Sequence, residues 1–448
     1  MSAPATRVGI LGGGMLGLTL ARRLRSAGME PTVLEGAPET GGLASSQAIG
    51  EYEWDRFYHV ILRSDGALLE LLHELGLGDR LHWGYTKSAF YTGSAFHSLS
   101  STLDFATFPL LGPLAKARLA ATILRAANIR DWRPLEGETA ASWLTRWSGR
   151  RSYNRLWLPL LRAKLGENAD QASAAFIWAI IARMYAARRS GLKREMFGYV
   201  HGGYATILRR FREVLRAEGV EIVSGHPVRH VAGLPGCAAV TLADGRRLEF
   251  DRLVLTVPCP AVRAICPDLE PAEQARLDRV VYQGVVCPSL LLRRPLGGYY
   301  ITNITDDRVP FTAVIEMTAL VDRERFGGHT LVYLPRYLTQ QSPVWQRPDE
   351  ALVWEYVDAL ARMYPGLGRQ DVVAWQVSRA RDVLALSTVN YTSDALPSTS
   401  TSLENVFVVN GAQIAAGTLN VNETVTLANQ KAAELQALWR RAPVLVAG

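Results

Sequence analysis

Arg7-Val8-Gly9-Ile10-Leu11-Gly12-Gly13-Gly14-Met15-Leu16-Gly17 opens the stretch whose reading decides the fold, and Glu35 closes it. Arg7 to Leu11 reads as a short buried strand. Gly12, Gly14 and Gly17 then give the spacing G-x-G-x-x-G. Leu18 to Ala27 has helical periodicity and stops at Gly28, and Pro31 to Leu34 reads as a second strand ending in Glu35. Together these form a βαβ unit with an acid about 20 residues past the glycine loop. Gly12 suits the tight turn, Gly14 lets the backbone approach a pyrophosphate, and Gly17 permits close helix–strand packing. The helix start beginning at Met15 offers free N–H groups and positive dipole to phosphates. Glu35 can accept both hydroxyls of an unphosphorylated ribose, as in FAD or NAD, which argues against NADP. A dinucleotide site over Gly12, Gly14, Met15, Gly17 and Glu35 is the expectation.

A second glycine pair follows in Gly41-Gly42-Leu43-Ala44-Ser45-Ser46, which a plain NAD domain does not need. Here the chain resembles the FAD-binding superfamily of flavin amine oxidases, protoporphyrinogen oxidases, phytoene desaturases and UDP-galactopyranose mutases. That superfamily has an R-x-G-G-R-x-x-S/T element beside the pyrophosphate and flavin. This sequence keeps the glycines and a serine but has Glu39 and Leu43 at the arginine positions. The resemblance implies FAD as cofactor, with Gly42, Leu43 and Ala44 in contact with it.

Further matches lie downstream. Gly219 to Val228 resembles the family's strand pair whose second member, here Val228, reaches the adenine. Phe250 to Pro258 resembles the strand returning to the FAD domain. Asn405 to Gly411 reads as a strand ending in a turn, and Thr418 to Ala433 as a helix entered through Asn420, Asn422 and Glu423. In the family, that helix start meets the flavin pyrimidine, where a helix N-terminus stabilises negative charge. Gly411, Asn420 and Asn422 are therefore further cofactor contacts that the resemblance implies. The expected fold is α/β: a discontinuous Rossmann-like, glutathione-reductase-like FAD domain over 1–85, 197–258 and 396–440, plus a mixed α+β substrate domain. Residues 86–196, with Ala, Leu, Arg and Trp at helical spacing, are expected to be its helical part. Residues 259–395 are expected to mix strands (Val285 to Leu292, Ala313 to Met317, Thr330 to Leu334) with a helix from Asp349 to Met363.

Composition narrows the function classes. The chain has 448 residues, enough for two or three domains, and its apolar and charged content is that of a globular protein. The formal charge is +7, yet arginine is spread along the chain apart from pairs such as Arg188-Arg189 and Arg293-Arg294, unlike the clustered charge of nucleic-acid binders. Source-genome composition explains the arginine excess as well as anion or lipid-surface recognition does. The four cysteines show no CxxC spacing, so neither a disulfide framework nor a metal site is expected. The longest apolar stretch, Ala172 to Ala182, is too short for a membrane span. With a strand pattern starting at Arg7 and no apolar leader before it, the cytoplasm is the expected location.

Three clusters carry candidate chemistry. Trp54-Asp55-Arg56-Phe57-Tyr58-His59 follows the glycine pair and resembles the mutase-branch loop along the flavin face. His59 is the candidate for proton transfer, with plain packing beneath the cofactor as the alternative. Alternation from Gly297 to Asn303 and from Thr312 to Glu316 suggests strands facing the flavin. Tyr300, Asn303 and Glu316 are candidate pocket residues, Tyr300 and Glu316 as candidate catalytic groups; ordinary strand packing is the alternative. Arg336 and Arg379 are candidate anchors for an anionic substrate. Third, Phe105, Phe108, Leu110 and Leu111 precede a stretch where Leu119, Ile123 and Leu124 alternate with Lys116, Arg118, Arg125 and Arg130. Such a basic amphipathic helix can lie on anionic lipid or on the protein's own core.

The resemblance implies an FAD-dependent oxidoreductase moving a hydride from a substrate carbon to flavin N5, with a small-molecule substrate that is lipophilic or anionic. Two alternatives stand beside it: a mutase-type isomerase of a nucleotide sugar, and a flavin-binding protein without turnover. Only five lysines occur (Lys87, Lys116, Lys164, Lys193, Lys431), none between Lys193 and Lys431. Many flavin amine oxidases place a substrate-domain lysine near N5, so this gap argues for the desaturase-like, porphyrinogen-oxidase-like or mutase-like branches. Oligomeric state has no signature in the sequence.

Overall fold

The structure is a computed structural model that describes residues 5–93, 95–98, 104, 107–109, 111–188, 196–417 and 420–441, without the side chains of 186–188 and 441. Phe105, Leu110, Arg189, Lys193 and Thr418, named above, lie outside the described residues.

Strand β1 (Arg7–Leu11), helix α1 (Met15–Ser26) and strand β2 (Glu30–Glu35) follow the quoted stretch. β1 lies at the centre of a five-stranded sheet ordered Val406–Val408, Arg252–Leu255, β1, β2, Glu221–Ser224, with every neighbouring pair parallel. Ile10 is flanked by Val33 and Val254 in register. Val8 and Ile10 face one core with Leu18 and Leu24 of α1, Val425 and Leu435; Leu11 and Leu34 face a second with Leu253 and Cys259. Cover on both faces explains why these strands read as continuous apolar runs. Strands for this one sheet come from all three remote stretches of sequence. A three-stranded antiparallel sheet, Val228–Leu234, Cys237–Leu242 and Arg247–Phe250, packs beside it.

The second large sheet has eight strands around Tyr282–Leu292, all eleven residues of which are buried. Its side chains alternate between two cores. Val286, Leu290 and Leu292 meet Leu352, Tyr356 and Leu360 of helix Asp349–Met363, while Val285, Cys287 and Leu291 meet Phe57, Tyr300 and Tyr333. Two strands from 86–196 belong to this sheet: Ser88–Thr92 pairs parallel with Ile301–Ile304, and Ala95–Ser98 pairs with Ser88–Thr92. The segment expected to be the helical part of the substrate domain thus also contributes two strands. Both strands are short, and the pairing that joins them to the large sheet reaches a partner some two hundred residues away.

From residue 113 onward the helical reading matches the structure. Helices Pro113–Asn128, Ala140–Ser148, Leu158–Leu165 and Ala174–Arg188 pack around Ala126, Trp143, Leu144, Leu161, Phe176 and Ile177. No helix among the described residues is long and apolar enough to cross a membrane. On helix Pro113–Asn128, the Arg118 guanidinium donates to the Arg146 and Trp147 carbonyls, and Arg125 lies 3.7 Å over the Trp147 ring. Those two charges engage the neighbouring helix, while Leu114 and Leu124 remain exposed.

Candidate functional site

A cavity of ≈ 1650 Å³ runs from the C-terminal end of β1 into the layer of helices. Gly12, Gly14, Met15 and Glu35 line its first end with Gly42, Leu43 and Ala44. The geometry there follows from missing side chains. A Cβ on Gly14 would meet nothing nearer than the Gly42 Cα at 4.0 Å, so the backbone is open to the cavity. The Gly41 N–H donates to the Gly13 carbonyl at 2.8 Å and holds the two glycine turns side by side. Helix α1 starts at Met15 with no side-chain cap and no acid in its first turn, leaving its N–H groups and dipole to a ligand anion. Gly17 does not line the cavity. It packs beneath, where a Cβ would stand 1.9 Å from the Gly12 carbonyl oxygen.

Glu35 is fixed by two backbone donors, Gly13 N–H to Oε2 at 2.7 Å and Ala37 N–H to Oε1 at 2.8 Å. Each oxygen keeps lone pairs for a vicinal diol. A Glu35→Gln variant puts an amide NH₂ against one of these N–H donors. Its FAD affinity is expected to fall about tenfold to a hundredfold, the worth of about 1–3 kcal/mol of lost charged hydrogen bonding, as read by flavin titration of the apoprotein.

The cavity wall continues along the start of helix Val421–Arg441. Asn420 Oδ1 accepts from the Glu423 N–H at 3.0 Å and caps that helix, and Asn422 Oδ1 accepts from the Leu68 N–H at 3.1 Å. Gly411, Asn420 and Asn422 all face the cavity. The Arg183–Asp65 ion pair stands on the same wall.

Beyond this lie His59 and Tyr300, both on the wall. The His59 ring packs 4.8 Å from that of Tyr204, and burial lowers its protonation to about pH 4. At neutral pH it is therefore an uncharged imidazole, fit to exchange one hydrogen bond at each nitrogen rather than to act as a standing acid. His59 Nδ1 and the Tyr300 hydroxyl are buried with no hydrogen-bond partner in the protein. Tyr300 packs edge-on to Phe197 at 5.1 Å. Next to His59, the Tyr58 and Tyr337 hydroxyls share a 2.8 Å hydrogen bond, and burial raises the Tyr58 phenol well above its ordinary range.

The His59 shift has a consequence for stability. The unfolded chain takes up this proton near pH 6.5 and the folded chain only near pH 4. Folding thus loses stability as pH falls through that window and loses none above it. Relative to a His59→Asn variant, wild type is expected to weaken by about 1–3 kcal/mol between those limits, measured by denaturant midpoints.

Asp55 holds this region in place. Its Oδ1 accepts from the Tyr204 N–H at 2.8 Å, at the start of helix Gly203–Ala217, and its carbonyl accepts from the Tyr333 hydroxyl at 2.6 Å in the eight-stranded sheet. Gly203, at φ +69°, leaves room for the carboxylate, since a Cβ there would lie 2.7 Å from Oδ1.

The sequence profile of the family described as flavin containing amine oxidoreductase matches residues 16–426. The chain belongs to that family. Among solved structures it is similar to a proposed protoporphyrinogen oxidase from Exiguobacterium sp. 255-15, at 18% identity over 98% of this chain and 100% of that one, TM-score 0.76. Putrescine oxidase bound to putrescine matches at 18% identity over 97% and 99%, TM-score 0.72. Reduced UDP-galactopyranose mutase matches at 15% over 98% and 95%, TM-score 0.72. Sequence comparison with curated proteins finds no match.

FAD is the cofactor of this flavin amine oxidoreductase, and the wall fits it: an open glycine backbone and a pinned carboxylate at one end, a helix start and two unpartnered polar atoms at the other. Two residues singled out in the sequence do not line this cavity. Val228 opens an antiparallel strand and packs with the second core instead of lining the cavity. Glu316 is also off the wall. Its oxygens accept from the N–H groups of Leu296, Gly297 and Gly298, fixing that loop. Asn303 and Arg379 line the cavity, and Arg336 does not. Arg379 is held by Asp349 and by the Arg347 carbonyl.

The sequence reading missed Tyr337, Trp157, Asp382 and Lys164, all on the wall. Lys164 precedes the stretch between Lys193 and Lys431 from which the family's lysine is expected. Its helix places Leu160, Leu161 and Lys164 toward one side, and that i, i+4 spacing reads from sequence as core packing.

Proposed function

We propose that the cavity is one continuous FAD and substrate site, and that the chain oxidises a small molecule by hydride transfer from a substrate carbon. What supports this reading is the single cavity joining Gly14 and Glu35 to His59 and Tyr300. We take the parallel sheet with its flanking helices as a Rossmann-like, glutathione-reductase-like FAD domain, discontinuous over 1–85, 197–258 and 396–440, with 86–196 and 259–395 as the substrate domain. Bound there, FAD supplies a two-electron acceptor. The protein orients it through Glu35 and the glycine turns, and the helix starts at Met15 and Val421 favour its negative charge. Neutral His59 and the Tyr300 hydroxyl offer hydrogen bonds to the reacting molecule, and the surrounding Phe57, Phe197 and Ile315 exclude water.

A second reading keeps the same site and changes the chemistry to that of an isomerase working on a nucleotide sugar. The His59 loop supports it. Anaerobic mixing with candidate substrates separates the readings. Bleaching of the flavin absorbance supports the oxidoreductase, whereas turnover found only after dithionite reduction, with no net redox change, supports the isomerase. A flavin-loaded protein silent to every ligand class leaves binding without turnover. The exposed Leu114 and Leu124 beside Lys116 support peripheral contact with anionic membranes. Salt-sensitive co-sedimentation with anionic vesicles is the expected result, and its absence removes that part of the reading.

A further inference from the structure

The cavity does not end at the flavin-facing groups. It extends between three helical segments: Pro113–Asn128, the π-helical turn Tyr153–Trp157 with helix Leu158–Leu165, and Ala174–Arg188. Leu119, Ile123, Leu156, Leu160, Phe176 and Ile180 line this limb. An apolar limb of this kind gains by burying hydrocarbon, about 0.8 kcal/mol for each methylene taken out of water. At one side of the limb the lining changes character. Lys164 follows Leu160 and Leu161 by one helical turn, and its ammonium lies 4.8 Å over the Tyr337 ring. No carboxylate pairs with it among the described residues. Trp157, seven positions earlier, presents an indole N–H that is buried without an acceptor. Both groups only donate. Two unanswered donors beside an apolar limb call for an acceptor-rich head on an apolar chain.

We propose that the substrate of this site is an amphipathic molecule, with a hydrocarbon chain in the helical limb and a carboxylate head bound by Lys164 and the Trp157 N–H. The proposal rests on the reading of the cavity as the substrate site and adds the class of molecule it takes. Asp382 also lines the cavity, so a cationic head is the competing outcome and enters the test.

The test is calorimetric titration of the FAD-loaded protein with dodecanoate, hexanoate, dodecanol and dodecylamine, each kept below its micellar concentration or solubility limit. Dodecanoate is expected to bind at least about a hundredfold more tightly than hexanoate. Lys164→Met is expected to weaken dodecanoate about tenfold and leave dodecanol within about twofold. Ile123→Trp, which fills the limb, is expected to weaken dodecanoate and dodecanol alike. Equal binding of the two acids, dodecylamine binding as tightly as dodecanoate, or an equal loss of dodecanol in Lys164→Met overturns the proposal. The comparison of acids in wild type needs no variant to fold. Protein that takes up no FAD refutes the oxidoreductase reading alone, because dodecanoate binding by that protein still decides the substrate class.

Discussion

Gly17→Ala is expected to unfold or strip this protein of FAD more effectively than any other single methyl addition near the site. The added Cβ lands 1.9 Å from the Gly12 carbonyl oxygen and 3.1 Å from the Thr256 hydroxyl. Neither neighbour is a flexible side-chain end. Gly12 is held by its N–H to the Leu34 carbonyl at 2.8 Å, and its carbonyl accepts from the Thr256 hydroxyl at 3.0 Å. Three strands of the parallel sheet therefore meet at the point of collision. Relief requires α1 to move off the sheet, which lifts the helix start away from the phosphate position and opens the packing of Leu18 and Leu24. Overpacking of this kind costs about 1–3 kcal/mol where the surroundings can shift, and here they are pinned. The variant is expected to lose about 3 kcal/mol by urea titration and to purify with little flavin. Wild-type stability and full flavin content in Gly17→Ala would refute this account of the turn.

Asp55→Asn is expected to act in the opposite direction. Asp55 is buried, and desolvation raises its protonation to about pH 7, against the Tyr204 N–H and the Arg325 charge, which both lower it. The unfolded chain gives up this proton near pH 3.8. Between those values the folded state holds a proton that the unfolded state has lost, so the group's contribution to stability falls as pH rises through the window and then stays constant. Above pH 7 the fold carries a buried carboxylate. Asparagine removes that charge and keeps an oxygen for the Tyr204 N–H. The variant is expected to match wild type near pH 3.5 and to exceed it by about 2–4 kcal/mol at pH 8, read from denaturant midpoints across the range. A variant weaker than wild type at pH 8 would show that the Tyr204 and Arg325 interactions outweigh desolvation.

These two residues also mark what each level of description reveals. Gly17 was legible in the sequence because the glycine spacing encodes a backbone approach that only a missing Cβ allows. The same holds for Gly12, Gly14, Glu35 and the capping Asn420. Each acts on main-chain groups within one βαβ unit or one helix start, so a pattern of fixed spacing carries it. Asp55 lay in a cluster noticed for His59, and nothing local predicts that its carboxylate caps a helix starting at Gly203.

Sequence by itself determined the βαβ unit, the two glycine turns, the acid at the end of its second strand and the family's cofactor, since close backbone approach and parallel pairing restrict residue type at fixed spacings. Only the tertiary structure decided which side chains face the cavity. It made Glu316 a loop clamp, packed the half-buried Val228 against a core, and drew Lys164 and Trp157 to the wall with Tyr337 from a strand far along the chain. Side chains on helices and strands repeat every 3.6 or 2 residues whether they meet a core or a cavity. Which of the two they meet depends on the remote element packed opposite, and no local spacing records that.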